Sequence, residues 1–453
     1  MRGAKLLGRW TQGTEGWYAS MALANLALGT SSTLVPLLIA HVLGGSVAEV
    51  GLQSSGVSLV GVVGSLVWGR LADAAPQRKP FLFLSFSLLA VTFAGIAFTR
   101  SFWALVAYGM VQNFFWVATG AVSVLLLTER QGKASWERRI GQLNQIGALG
   151  WLAGLALGSV ALAVGTRLTT EETAMRGLFL ILALTSAAAT LLAARLVPCA
   201  DASLAGRPFR GAALALKALL TEASKLTPHH LARCLDPRRL PALLSTKDAH
   251  DRATRLFLAE TFLAFAGIGF FGIPLPLLLA ERFSIPSSEV FLYFVVLNVG
   301  VVAAYPLASH RIGRMGNKAV QGGALLARLG LFALAAAFLF LSPSPPPGIA
   351  IALHLLALGV SWSFFQLSGV ALASRLARPE RRGRVLGLYN ATASAGWIVA
   401  GVGSGYLARE AGYPASFAAA AALIALSLLV LRAVPSPGSA DAGGSSAPSP
   451  ERG

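Results

Sequence analysis

Residues 35–52 read VPLLIAHVLGGSVAEVGL, and residues 275–292 read LPLLLAERFSIPSSEVFL. Pro36 and Pro276 each precede two leucines, an aliphatic residue and an alanine. Thirteen residues further on, Glu49 and Glu289 each precede a valine. Leucine and alanine match cheaply between apolar stretches, but proline and glutamate do not. A second echo lies further along: GQLNQIGALGW (141–151) against GLYNATASAGW (387–397). It aligns Gly141, Asn144, Gly150 and Trp151 with Gly387, Asn390, Gly396 and Trp397, each 246 residues apart. The pair Phe114–Phe115 returns as Phe364–Phe365. The echoes keep their order, and their offsets drift only between 240 and 250, as insertions in loops allow. The chain reads as an internal duplication.

The solvent of the duplicated unit follows from composition. Of 453 residues, 55% are hydrophobic and 12% charged, against about 25% charged in an ordinary soluble domain. Apolar runs long enough to cross a hydrocarbon core of about 30 Å fall near 17–41, 47–68, 80–99, 102–127, 140–164 and 177–197. Six more fall near 255–280, 287–308, 319–341, 348–373, 385–408 and 413–434. Lipid offers no partner to an unpaired backbone group, and no ten-residue alternating pattern suggests a barrel, so these are helices. The expected organisation is an all-α membrane protein. A six-helix bundle at 1–197 and another at 255–434 flank a cytoplasmic linker at 198–254, and a disordered tail occupies 435–453. FRGAALALKALLTEASKL (209–226) carries an apolar stripe at helical spacing, as an amphipathic helix lying on the membrane would. The tail GSADAGGSSAPSPERG (438–453) has the composition of a disordered segment.

A net charge of +18 raises the possibility of nucleic acid, but the placement of the cations removes it. Arg2, Lys5 and Arg9 precede the first span; Arg70, Arg78 and Lys79 follow the second; Arg130, Lys133, Arg138 and Arg139 follow the fourth. Nine more lie between Arg207 and Arg252, and the loops after the eighth and tenth spans are equally basic. The alternate loops hold only Arg100, Arg167, Arg176, Arg282 and Arg409. This is the positive-inside asymmetry. It puts both termini in the cytoplasm of a multi-pass plasma (inner) membrane protein, with basic loops beside anionic headgroups. Cys199 and Cys234, the only cysteines, fall in the linker and carry no disulfide or metal-site spacing. The first span is too long for the apolar core of a cleaved signal peptide.

The loop after the second span, GRLADAAPQRKP (69–80), places Gly69, Asp73, Arg78 and Lys79 in the pattern of the loop signature of the major facilitator superfamily, which the whole chain resembles. The second half repeats Arg311, Gly313 and Arg314, with His310 in place of the acid. The resemblance implies two parallel six-helix halves that rock about a central site near the bilayer midplane. It also implies a gating role for this loop, in which Asp73 meets the amides at the start of the eleventh helix or Arg382 and Arg384. Two signatures of proton-coupled drug exporters are missing. Gly109 and Asn113 stand where the fourth span should have arginine and glycine around Gln112, and Gly150–Trp151 replaces a Gly–Pro pair on the fifth. Gly147, Gly150, Gly154 and Gly158 nevertheless form a small-residue face on which another helix can pack closely.

Polar groups inside spans point to function because lipid burial is costly. Glu260 is the only acid well inside a span. It could carry a proton if it faces the cavity, or else snorkel to the surface or pair with Arg255. His354 could titrate near neutrality or serve in packing, and Arg328 is expected to snorkel or pair structurally. By resemblance, the cavity would be lined by Asn25, Thr30, Gln112, Asn113, Trp116, Phe262, Phe265, Trp362 and Gln366, with Asn298, Asn144 and Asn390 on neighbouring helices. Asn144 and Asn390 read better as helix-packing residues. Neutral hydrogen-bonding groups mixed with aromatics suit an amphipathic or uncharged solute.

There is no nucleotide-binding GxxxxGK(S/T) loop, no metal-ligand cluster and no catalytic set. The expectation is therefore a non-enzymatic secondary transporter without cofactor or metal, working as a monomer. It would move a small organic solute, with protons as a candidate coupling ion and efflux the first reading of direction. The alternatives are uptake or facilitated diffusion of a neutral solute such as a sugar, or a membrane scaffold that transports nothing.

Overall fold

The computed structural model describes residues 15–74, 79–129, 136–198, 217, 249–342, 344–377 and 382–435. The expected linker helix, the tail and Arg78 lie outside the described residues, as do the side chains of Asp73, Arg382 and Arg384. Among the described residues there is no strand, and twelve helices have 20 or more residues. They are α1 (Tyr18–His41), α2 (Val47–Ala74), α3 (Lys79–Phe98), α4 (Phe102–Glu129), α5 (Trp136–Leu168) and α6 (Glu171–Leu196). The second set is α7 (Ala249–Gly272), α8 (Ser287–Met315), α9 (Asn317–Leu341), α10 (Gly348–Leu376), α11 (Arg382–Ala411) and α12 (Tyr413–Ala433). Eleven are long and apolar enough to cross a membrane. α7 continues through a turn at Leu275–Leu277 and a π-helical turn at Leu278–Arg282. Its break falls at Ile273–Pro274, where the proline removes a backbone donor.

The echo between residues 35–52 and 275–292 is a repeated turn. In the first copy the amide of Leu43 donates to Leu38 O (3.0 Å) and that of Gly45 to Ile39 O (2.8 Å). In the second, Phe283 donates to Leu278 O (3.1 Å) and Ile285 to Leu279 O (3.0 Å), the same bonds 240 residues on. The residue between is left-handed in both, Gly44 at φ 65° and Ser284 at φ 52°. The following helices then open on Ser46 O and Pro286 O. Glu49 closes a capping box, its carboxylate accepting from the Ser46 amide (2.6 Å) and hydroxyl (2.5 Å). Pro286 has no amide to offer, so no capping box forms with it, and Glu289 keeps a favourable place in the first turn.

Contacts divide the chain into two units, Met1–Thr227 with Leu275–Val295, and Pro228–Pro274 with Val296–Gly453. In the first, α1 packs on α5 and α6, α3 on α4 and α6, and α2 on α4. In the second, α7 packs on α11 and α12, and α9 on α10 and α12, while Gly300 and Gly359 bring α8 against α10. Each pairing in one unit recurs six helices later in the other. Glycines set the closest approaches. A Cβ on Gly150 would stand 2.3 Å from Ala22 O, and one on Gly154 2.0 Å from Leu26 O, so α5 and α1 touch backbone to backbone. Thr30 donates to Gly154 O (2.6 Å) across the same seam. The counterpart of Gly150 is Gly396, where a Cβ would lie 2.8 Å from Phe262 O on α7. Gly316 (φ 82°) and Gly412 (φ 84°) are single-residue links into α9 and α12, a conformation that side chains other than glycine resist.

Several expectations need correction. Gly69 and Asp73 stand in the last turns of α2, not in a loop, because the helix runs on to Ala74 and only the approach to Pro76 disfavours it. Arg311, Gly313 and Arg314 likewise lie in the exposed last turns of α8. Asn144 and Asn390 are exposed, so neither is the buried helix glue expected from their symmetric placement.

Candidate functional site

α4 and α10 carry related pentapeptides, Gln112-Asn-Phe-Phe-Trp116 and Trp362-Ser-Phe-Phe-Gln366, in which glutamine and tryptophan exchange ends. Between them the structural work is the same. Asn113 Nδ2 donates to Val57 O on α2 (2.7 Å), and Ser363 Oγ donates to Val301 O on α8 (2.6 Å). Phe115 joins the first unit's core beside Trp68, while Phe365 is buried beside Phe265 and Trp362 in the second. The two glutamines differ from these. Gln112 Nε2 and Gln366 Oε1 are buried and have no hydrogen-bond partner among the described residues. A buried amide atom left unbonded costs about 1–3 kcal/mol, so each is a standing demand for a partner.

Glu260 on α7 is fully buried. Its carboxylate accepts from Gln321 Nε2 on α9 (3.1 Å), Thr261 Oγ1 (3.4 Å) and Ser427 Oγ on α12 (3.4 Å). Gln321 Oε1 accepts in turn from Ser368 Oγ on α10 (2.5 Å). Gly369, the next residue of α10, leaves room for the Tyr389 hydroxyl and the Gln321 amide. A polar thread therefore ties four helices together around one carboxyl group. Its partners are neutral; among the described residues it has no ion pair with Arg255, and it does not snorkel.

Seven residues beyond Gln321, on the same face of α9, Arg328 is also buried. It neither snorkels nor forms an ion pair among the described residues. Its guanidinium lies over Trp362 (5.3 Å), Phe365 (5.8 Å) and Phe332 (6.0 Å). It donates one long bond to Leu358 O (3.3 Å), and its Nε has no partner. Phe265 meets Trp362, Phe365 and Tyr389 edge to face. His354 sits nearby on α10, its ring 6.1 Å from Phe271 and its Nε2 buried without a partner among the described residues.

The second unit thus brings together Glu260, Phe265, Trp362, Gln366 and Arg328 on adjoining helices. Gln112 and Trp116 are brought together on α4 of the first. Asn25 bonds its own helix at Met21 O (2.8 Å), and it, Thr30 and Asn113 are engaged in helix packing. Gly147, Gly150 and Gly154 face α1, and Gly158 receives the Phe291 ring. Phe262 and Asn298 are half-buried. Gln321, Ser368 and Ser427 were not singled out from sequence. The signal available was the spacing of Gln321 and Arg328, two costly polar groups seven apart on an otherwise apolar helix.

The profile of the Major Facilitator Superfamily matches residues 17–246 and 257–451. The chain is similar to the organic cation/carnitine transporter 2 of Arabidopsis thaliana, 30% identical over 118 residues, a match spanning 24% of this chain and 22% of that protein. The fold resembles the xylose transporter XylE of E. coli (TM-score 0.65, 16% identity, covering 94% of this chain and 98% of that one). It also resembles the nucleoside transporter NupG (TM-score 0.65, 17% identity, covering 93% and 99%). With twelve long helices among the described residues, packing that repeats six helices on and a profile match along both halves, the chain belongs to the Major Facilitator Superfamily of membrane transporters.

Proposed function

We propose that this protein is a proton-coupled secondary transporter of a small, amphipathic organic solute, working by alternating access in the inner membrane with both termini cytoplasmic. The observation that carries the reading is the carboxyl group of Glu260, buried with neutral partners and linked through Gln321 to α10. That helix also carries Trp362 and Gln366. A carboxyl so placed exchanges a proton only when its surroundings open, which ties its protonation to a change of state. Solute recognition draws on the second unit's Gln366, whose Oε1 has no partner among the described residues, and on the aromatic faces of Phe265 and Trp362 beside it. The direction proposed is outward, in keeping with an aromatic binding surface.

A compound panel screened for thermal stabilisation of the purified protein identifies the solute, because a ligand of the folded state raises its melting temperature. Gradient-driven transport and counterflow of that solute are then measured in proteoliposomes. Glu260→Gln should abolish accumulation driven by a proton gradient and leave counterflow intact. Undiminished accumulation by this variant would overturn the coupling role. Uptake of a neutral solute is the second reading, favoured by Gly109 and Gly150–Trp151 standing where proton-driven exporters carry arginine and Gly–Pro. The sign of accumulation under an inward proton gradient separates the two.

A further inference from the structure

Where the N-terminus of α9 meets the C-terminal turns of α10 and α12, a recess is lined by Lys318, Arg375 and Arg432 and, further along, by Leu326, Leu428 and Leu431. Among the described residues no carboxylate lines it. α9 is 25 residues long and opens on Gly316, which has no side chain to cap the first amides, so the helix end itself favours an anion. Asn317 lines the same recess and is 3% exposed. Neither its carboxamide nitrogen nor its oxygen has a partner among the described residues. Lys318 Nζ donates to the carbonyls of Arg432 (3.2 Å) and Val434, which holds the ammonium beside the C-terminal end of α12 with a donor to spare.

The polar end therefore offers three cations, uncapped helix amides and an unsatisfied carboxamide, which is the chemistry of a phosphate site. The other end is apolar: Leu326, one wall of the recess, is 59% exposed. A free phosphate has no use for that wall, whereas a phosphodiester carrying acyl chains fills both ends. The charge asymmetry of the loops sets this end of α9 and α12 at the cytoplasmic leaflet, where anionic headgroups lie. We propose that this recess binds an anionic phospholipid, its phosphate held by Lys318, Arg375, Arg432 and Asn317 and an acyl chain lying along Leu326, Leu428 and Leu431.

The test uses the full-length protein in neutral detergent, titrated with phosphatidylglycerol, phosphatidylcholine or sodium phosphate and followed by native mass spectrometry and thermal melting. Phosphatidylglycerol should bind about tenfold more tightly than phosphatidylcholine, since each cation near an anionic lipid contributes appreciably. It alone should raise the melting temperature. The double variant Arg375→Gln/Arg432→Gln should lose that preference. The equally discharged control Arg282→Gln/Arg409→Gln, altered at exposed positions away from the recess, should keep it. Should the double variant fail to fold, Asn317→Asp places a repelling carboxylate in the recess and should abolish the preference by itself. A phosphatidylglycerol preference that survives these variants, or that is absent from the wild type, would overturn the proposal. So would stabilisation by sodium phosphate equal to that by the lipid, which would make this a site for free phosphate.

Discussion

In the first half, Leu82 and Leu89 lie seven residues apart on α3, and both are fully buried. Counting from Lys79 and Lys318, in the first turns of α3 and α9, the same two positions of α9 are Gln321 and Arg328. The offset of the first sequence echo sets Glu260 against Ser20, which bonds only its own helix at Trp17 O (2.6 Å). The offset of the phenylalanine pair sets Ser368 against Ala118. Both halves pack the same helices in the same pairs, so the architecture is satisfied by leucine, serine and alanine. The carboxylate, two amide-bearing or hydroxyl partners and guanidinium of the second half are not needed to hold it. A fold that spends stability on such groups in one copy and not the other is using them for something else.

The comparison can be broken at several points. Leu82→Gln puts into the first half the amide that the second half tolerates. With no Glu260 or Ser368 to receive it, it should destabilise the protein by about 3 kcal/mol in denaturant unfolding; a cost below about 1 kcal/mol would show that the first half accepts polar groups too. Gly150→Val and Gly396→Val probe the matching seam inside each half, α1–α5 in the first and α7–α11 in the second. Both should destabilise, by about 2–3 kcal/mol and about 1–2 kcal/mol, in the order of their clearances from the facing carbonyls. Equal costs, or the reverse order, would mean that the two seams relax differently. Arg328→Leu restores the first half's residue. Because the cation has no carboxylate partner, its loss should be neutral or stabilising by up to about 2 kcal/mol in the same unfolding experiment. Marked destabilisation would make the cation–aromatic contact structural. Ser284→Gly copies Gly44 into the second turn, where a left-handed residue other than glycine is strained. It should raise the melting temperature, by an amount corresponding to about 1 kcal/mol.

The twelve spans and the duplication were legible because lipid imposes helices and leaves proline, glutamate, asparagine and tryptophan as rare markers. Pro36 and Glu49 thus foretold a turn whose hydrogen bonds recur 240 residues later. The facing of individual side chains was less legible. A helix apolar on every side gives no periodicity from which to fix its rotation, so both Glu260 and Arg328 could be read as snorkelling. Asn144 and Asn390 misled for a related reason: repetition at matching positions marks a shared location, and that location is exposed. Gln321 escaped notice because its role exists only through a neighbour 61 residues away on another helix.

The proposed coupling of protons to solute movement runs through the buried polar thread of the second half. The direct measurement is proton flux into proteoliposomes loaded with a pH-sensitive dye, triggered by a solute that stabilises the purified protein. Wild-type protein should show a solute-evoked flux, and Glu260→Gln should show none while still exchanging the solute in counterflow. Equal solute-evoked flux from the two proteins would contradict the account.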